Sequence, residues 1–537
     1  MLQRKLSKLN YAFMLLLLVG LFLVVPLYFT DGYAQIGEDK YNCFRAVVLS
    51  VLAVWLPFLL AWGVVSLVNS KNRKKIATTW HQISETDCFV FLFLLLNVIN
   101  FTLSDDKQTL WRGEEGWYMG LAMQLILTAF YILVSRFWNK GIRSIWMLYL
   151  LMIISAGIFL LGTLNRFSIR PVEMTGASWG YISTLGNINW YCGFWTVVFP
   201  IGLYFFFTEE NRKKSIIWYG YIIIGLLAGI TQGSQSGILA FVGMFLMLFF
   251  LSFENKKKME RFWIVMTTFF GCCQVVRVIR NVFPDTYNLD DPTYYNIFHG
   301  RLTLTAFLIS VVILIIFHLL VMRKNGPYQS FKPDKWKWLR NIIVGMTLLL
   351  LAAGFLILLI RVDHPEILSF LNGKEGTVLD DNWGSGRGSI WRETITMFHE
   401  MSFRNRIIGV GPDGYAGYMY GHYAGVGTII NRFGDLRLTN AHCEILTVLI
   451  NQGLLGLFFY IGIWVSSIIR ALQVIKENTE KTTFMAGIAI LSMVAYFANN
   501  LVSFAQVLNI PYLFILLGIA EAYIRRSKNK LAKPENP

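Results

Sequence analysis

The chain has 537 residues, 55% of them hydrophobic and 15% charged, with a net charge of +16 and a mean hydropathy of +0.51. Charged residues make up about a quarter of a soluble globular domain, and this composition excludes that class. The apolar residues fall in unbroken runs, each close to the roughly 20 residues a helix needs to cross a bilayer, without the alternation of a transmembrane β-barrel; they predict an all-α polytopic membrane protein.

In chain order, fourteen spans are expected, near 11–30, 45–67, 87–104, 117–135, 145–163, 190–207, 216–232, 237–252, 262–279, 302–322, 341–360, 442–468, 484–505 and 508–524. The first is too long for a signal-peptide core and lacks a small-residue cleavage site, so it reads as a helix. With a cytoplasmic N-terminus, alternate connections collect 31 of the 48 lysines and arginines, including Lys71–Lys75, Lys256–Arg261 and the tail from Arg525. That is the positive-inside bias. It makes the charge a sign of orientation in a cell (inner) membrane, both termini cytoplasmic, rather than of nucleic-acid binding. The six cysteines form no CxxC pair, and the sequence carries no Walker, Rossmann or nucleotide-sugar metal motif, so neither a metal nor a cofactor is expected.

Residues 1–360 thus carry eleven spans, 361–441 form an 81-residue connection on the outer side, 442–524 hold three more spans, and 525–537 are a basic tail. Connections that long are functional or disordered, and this one does not read as disordered. In GSGRGSIWRETITMFHEM (384–401), Trp391, Ile395 and Phe398 recur at i, i+4 and i+7, an amphipathic helix pattern. RIIGVGPDGYAGYMYGHY (406–423) follows, a glycine–proline turn leading into Tyr415, Tyr418, Tyr420 and Tyr423. Together they predict a folded cap on the membrane surface. Where the chain re-enters the membrane, His442, Leu446, Leu449, Gly453, Gly456 and Tyr460 share one helical face, the glycines admitting a neighbouring helix beneath the histidine. The plain alternative is an imidazole that caps a helix at the interface.

The run AHCEILTVLINQGLLGL (441–457) resembles the signature of the O-antigen ligase and Wzy-type polymerase family of membrane glycosyltransferases, which includes a histidine, apolar residues and Gly-x-x-Gly-Leu. SGRGSIWRETITMF and IIGVGPDGY are similar to that family's Arg-x-x-x-Trp stretch and GxGPxxF/Y turn, and STLGNINWYCGFWTVVFPIGL (183–203) to its Gly-x-x-x-Asn-x-Asn helix entry. The blocks stand in family order. One departs from the pattern. After the seventh span the family shows Ser-Arg followed by small residues, whereas TQGSQSGILAF (231–241) places Gln235 at that arginine, which is counted among the family's substrate-binding residues. Arg280 or Arg301 is the expected substitute, with headgroup snorkelling the alternative for arginines so placed.

The resemblance implies a C-type glycosyltransferase-like fold and an inverting, metal-independent enzyme of cell-envelope polysaccharide biosynthesis. Its donor would be a polyprenyl pyrophosphate-linked glycan, and its acceptor a sugar hydroxyl of a glycan or lipid-linked molecule at the outer membrane face. Ligase and polymerase share these motifs. Arg387 and Arg392, together with Arg280 or Arg301, are expected on the donor pyrophosphate, whose oxygens match the guanidinium fork. His442, titrating near neutrality, is the expected general base for the acceptor hydroxyl. Glu444 can orient the imidazole only if the helix starts irregularly, since two residues along a regular helix point apart. Asn187, Asn189, Gln235 and Tyr415 are candidate sugar or acceptor contacts; the two asparagines serve equally to close a broken helix end, and the tyrosines to form an interfacial belt. The competing class is a lipid-linked oligosaccharide flippase, which also has many spans but would show repeated groups of them.

Overall fold

The computed structural model describes residues 2–30, 32–68, 83–138, 142–289, 292–324, 326–364, 366–367, 369, 379–434, 436–476 and 480–531. They form a bundle that is 79% helical, with one antiparallel ribbon pairing Tyr181–Ile182 with Gly186–Asn187. In chain order the first long helices are α1 (Leu2–Leu27, widened by a π-helical turn over Gly20–Val24), α2 (Ile36–Val68), α3 (Glu85–Leu103), α4 (Leu121–Phe137), α5 (Ile142–Arg166) and α6 (Ile188–Thr208). There follow α7 (Arg212–Thr231), α8 (Ser236–Ser252), α9 (Lys256–Val282), α10 (Arg301–Phe317) and α11 (Lys337–Asp363). The long connection contributes α12 (Trp383–Glu400), α13 (Tyr415–His422) and α14 (Val426–Phe433), and α15 (Glu444–Lys476), α16 (Glu480–Asn500) and α17 (Ile510–Leu531) complete the bundle. Each expected span overlaps one of these helices, with ends displaced by up to several residues. Among the described residues eleven helices are long and apolar enough to cross a membrane, and α4 and α8 are shorter apolar helices.

Lipid is as apolar as leucine, so a spanning helix gains nothing by hiding its leucines and packs instead through small and polar residues. The arrangement follows that rule. Every residue of α6 from Tyr191 to Phe207 is buried, although it carries Asn189, Thr196 and two glycines. The leucine- and isoleucine-rich α10 and α11 stand at the rim, and the apolar stretch of α11 has no buried residue.

The end of the bundle away from the cap is tied by buried charge. Asp87 and Ser84 form a reciprocal capping box at the start of α3. The same carboxylate accepts from the Tyr131 hydroxyl at 2.8 Å and pairs with Arg525 of α17, while Arg470 of α15 pairs with Glu521 at 2.9 Å. Neutralising Asp87 leaves Arg525 its second carboxylate, Glu521 at 2.8 Å. It still weakens the acceptor used by Tyr131 and by the capping box, and breaking a buried ion pair costs roughly 3–5 kcal/mol. Asp87→Asn should destabilise the protein by about that amount in SDS-titration unfolding from mixed micelles. A change below about 1 kcal/mol would show that the cluster does not hold these helices together.

The described residues of the connection pack around Ile390, Trp391, Met397, Tyr415, Met419 and Ile429, while Ile395 of the expected apolar face is exposed. Residues 370–378 of the connection lie outside the described residues.

Candidate functional site

The cap and α15 are joined where both backbones break pattern. Helix α15 begins at Glu444, two residues later than the shared-face reading of His442 requires, and breaks again at Gly453, which has φ +69°. The carbonyls freed by that break are taken by the glycine–proline turn: Val410 N–H donates to Ile450 O at 3.1 Å and Gly411 N–H to Asn451 O at 2.8 Å. A Cβ on Gly409 would collide with the Asn451 carbonyl, and one on Gly453 with that of Ile407. Gly453 therefore admits the cap's turn, whereas Gly456 faces Leu96 of α3, the neighbouring helix expected there.

His442 sits just before α15 with φ +48°, a left-handed conformation uncommon for a side chain of its size. Its N–H donates to Asn440 Oδ1 at 2.8 Å, and on either side Ala441 accepts from Trp391 Nε1 at 3.1 Å and donates to Thr447 Oγ1 at 3.1 Å. The half-buried ring meets Phe504 nearly edge-on, centroids 5.1 Å apart, and its Nδ1 is buried without a partner. Burial, with a smaller contribution from the charge of Arg387, holds the imidazole neutral by lowering its pKa to about 3. The expectation of a histidine titrating near neutrality is corrected on both grounds.

Arg387 is presented by an unusual helix start, in which Gly384, Ser385 and Gly386 all take positive φ before α12 turns right-handed. Its guanidinium donates to Gly384 O at 2.6 Å and Val502 O at 3.1 Å, and among the described residues no carboxylate pairs with it. The other predicted cation of this helix, Arg392, is engaged by Asp381 and, at 3.3 Å, by Glu393, which puts it outside the His442 cluster.

The connection 501–509 supplies what the sequence reading missed. Gln506 Nε2 donates to Asn189 O at 3.2 Å, and Asn509 Nδ2 to Phe504 O at 3.2 Å, which fixes Phe504 against the imidazole. Asn189 Oδ1 accepts from Ser234 at 2.7 Å, so the entry of α6 and the turn before α8 join the same belt; Gln235 stands at the N-cap position of α8. Asn187 caps α6 through the N–H of Asn189, the helix-end role. Trp117, expected inside a span, lies before α4 with its ring 4.2 Å from Phe504 and 5.8 Å from Trp190. Asp413 of the glycine–proline turn, at φ +63°, accepts from the N–H groups of Glu114 at 2.8 Å and Met119 at 3.0 Å, and burial raises it to about 7.

Three further expectations change. Glu444 does not orient the histidine, because its carboxylate accepts from Tyr496 at 2.9 Å and from Tyr460 and Asn500. Tyr415 is fully buried and bonded to Thr394 at 2.7 Å, a core residue of the cap rather than a sugar platform. At the turn before α8 the arginine present is Arg166, whose guanidinium donates to the carbonyls of Thr231 at 2.8 Å, Trp179 at 2.5 Å, Asn288 at 3.1 Å and Gln232. These carbonyls use Arg166 as a brace for the turn. Arg280 lies flat over Tyr295 at 3.5 Å, and Arg301 is exposed at the start of α10; neither joins His442. No family model matches the chain, and no curated protein matches it.

Proposed function

We propose that the protein transfers glycan from a polyprenyl pyrophosphate-linked donor to a sugar hydroxyl, at the end of the bundle that carries the cap. One observation carries this reading: an arginine that pairs with no carboxylate among the described residues is near enough for its charge to act on a neutral imidazole whose Nδ1 has no partner. The two groups divide the chemistry of such a transfer. A departing pyrophosphate needs fixed positive charge that is already in place, and Arg387 offers a guanidinium held by two carbonyls. The acceptor hydroxyl must lose its proton as it attacks the anomeric carbon, and the imidazole takes it. Attack from the face opposite the leaving group inverts the anomeric centre. The convergence of the three resembling sequence blocks on His442 and the α15 break supports the same reading. Arg280 and Arg301 have no part in it.

The reading requires the cap to face outward and the opposite end the cytoplasm. On a background lacking Cys88, the exposed one of the six cysteines, Thr428→Cys should react with a membrane-impermeant maleimide in intact cells and Lys213→Cys only after permeabilisation. The reverse pattern would put the site on the wrong side for a lipid-linked donor presented outside. The activity itself is tested with reconstituted protein, a lipid-linked oligosaccharide and a glycan acceptor. Donor movement across the bilayer without a new glycosidic bond would identify a flippase instead.

A further inference from the structure

A cavity of about 60 Å³ lies among α3, α4, α15, α17 and the 501–509 connection, and Phe504, the ring that packs on His442, forms part of its wall. Trp117 lines it too, with Phe93, Leu127, Ile510 and Phe514. Asn451 and Gln452, each 4% exposed, line the cavity with side-chain oxygens that are buried and have no donor. The two carboxylates on its border are already engaged, Glu444 by three side chains and Asp413 by two backbone N–H groups. Among the described residues, neither lysine nor arginine lines it.

Acceptors left without donors call for a ligand that brings its own. A metal cation is a poor match, since it takes about six oxygens and the ones unclaimed here are neutral amide oxygens. An anion would meet two carboxylates and no cation. Hydroxyl groups fit, and a sugar ring adds apolar C–H faces suited to Trp117 and Phe504. The space holds about four or five waters by volume, which suits two or three hydroxyls on one edge of a ring rather than a whole sugar. We infer that the cavity receives the hydroxyl-bearing edge of an uncharged acceptor sugar. The inference rests on the glycosyl-transfer reading for the word acceptor, but the binding it asserts does not require any transfer.

The test is a binding measurement with no donor present. Full-length protein in nanodiscs is titrated with the methyl glycosides of glucose, galactose, mannose and N-acetylglucosamine, and with methyl β-glucuronide, by saturation-transfer NMR. At least one neutral glycoside should bind, and the glucuronide at least about tenfold more weakly. Asn451→Leu or Gln452→Leu should weaken the neutral glycoside about tenfold, the loss expected when a hydrogen bond to a buried acceptor disappears. Absence of binding by all four neutral glycosides overturns the inference, as does equal binding of the glucuronide or indifference to both substitutions. If either variant fails to fold, the ratio of neutral to charged glycoside on the unaltered protein decides alone. Glycan transfer observed alongside any of those negative results leaves the proposed activity standing and removes only this subsite.

Discussion

On the proposed glycosyl-transfer reading, His442→Ala should lower transfer at least about a hundredfold, the low end for loss of a positioned base, while the protein still inserts and folds. The expectation of intact folding rests on two facts. The imidazole makes its contact through the edge of Phe504, and the hydrogen bond that fixes the position belongs to its backbone N–H and Asn440. His442→Asn is the stricter control, because asparagine tolerates left-handed backbone and carries no basic nitrogen. The pH dependence is specific. In the donor-free protein the imidazole is neutral down to about pH 3, from burial first and Arg387 second. A bound pyrophosphate offsets the guanidinium charge and favours the protonated ring, making it a stronger base when the donor is present. The acid limb of kcat/KM, which reports the free enzyme, should therefore lie well below that of kcat, which reports the complex. Near-normal turnover in both variants, or coincident limbs, would leave His442 as a structural residue.

The second large effect belongs to Arg387. Arg387→Gln should cut transfer by about 10²–10³, the range seen when one preorganised group is removed from developing negative charge. Arg387→Lys should recover only part of it, since an ammonium offers a point charge where the guanidinium offers a planar fork. The loss should fall on the donor's kcat/KM, with the acceptor's KM little changed. Removing this charge also removes the smaller of the two influences on His442, so the acid limb of kcat/KM should move up in Arg387→Gln without reaching 6.5. An unchanged limb would mean that the two side chains do not sense each other. A loss confined to acceptor KM would reassign Arg387 to the other substrate.

The helices were legible because a bilayer makes each span state itself locally, by length and apolarity. His442 and Arg387 could be named for a related reason: a charged or titratable group at a membrane boundary stands out against apolar neighbours. Their partners could not. The connection that presents Phe504 to the imidazole is tied down by Gln506 and Asn189, residues 317 apart in sequence, and nothing local marks the connection 501–509 as part of a site. Tyr460 was placed on the face of His442 by assuming a regular helix from residue 442. The left-handed turn at His442 and the break at Gly453 destroy that register, and Tyr460 bonds to Glu444 instead. Arg392 is exposed with acids beside it in the fold, Asp381 eleven residues back and Glu393 next door, whereas Arg387 is held by backbone carbonyls. Arg166 was missed because a buried arginine among carbonyls has no signature beyond its own letter.

The charge cluster at the end away from the cap sets a clock for biosynthesis. Asp87 is made early, and its main cation, Arg525, is 438 residues further along the chain. At about 5–20 residues per second the acid waits roughly 20–90 seconds for that partner. Arg136, 3.8 Å from the same carboxylate in the finished bundle, is synthesised far sooner and can hold it in the interval. A chain released before α17 emerges keeps only this looser contact, so the newly inserted bundle carries at the end away from the cap a mark of incompleteness that disappears when synthesis ends.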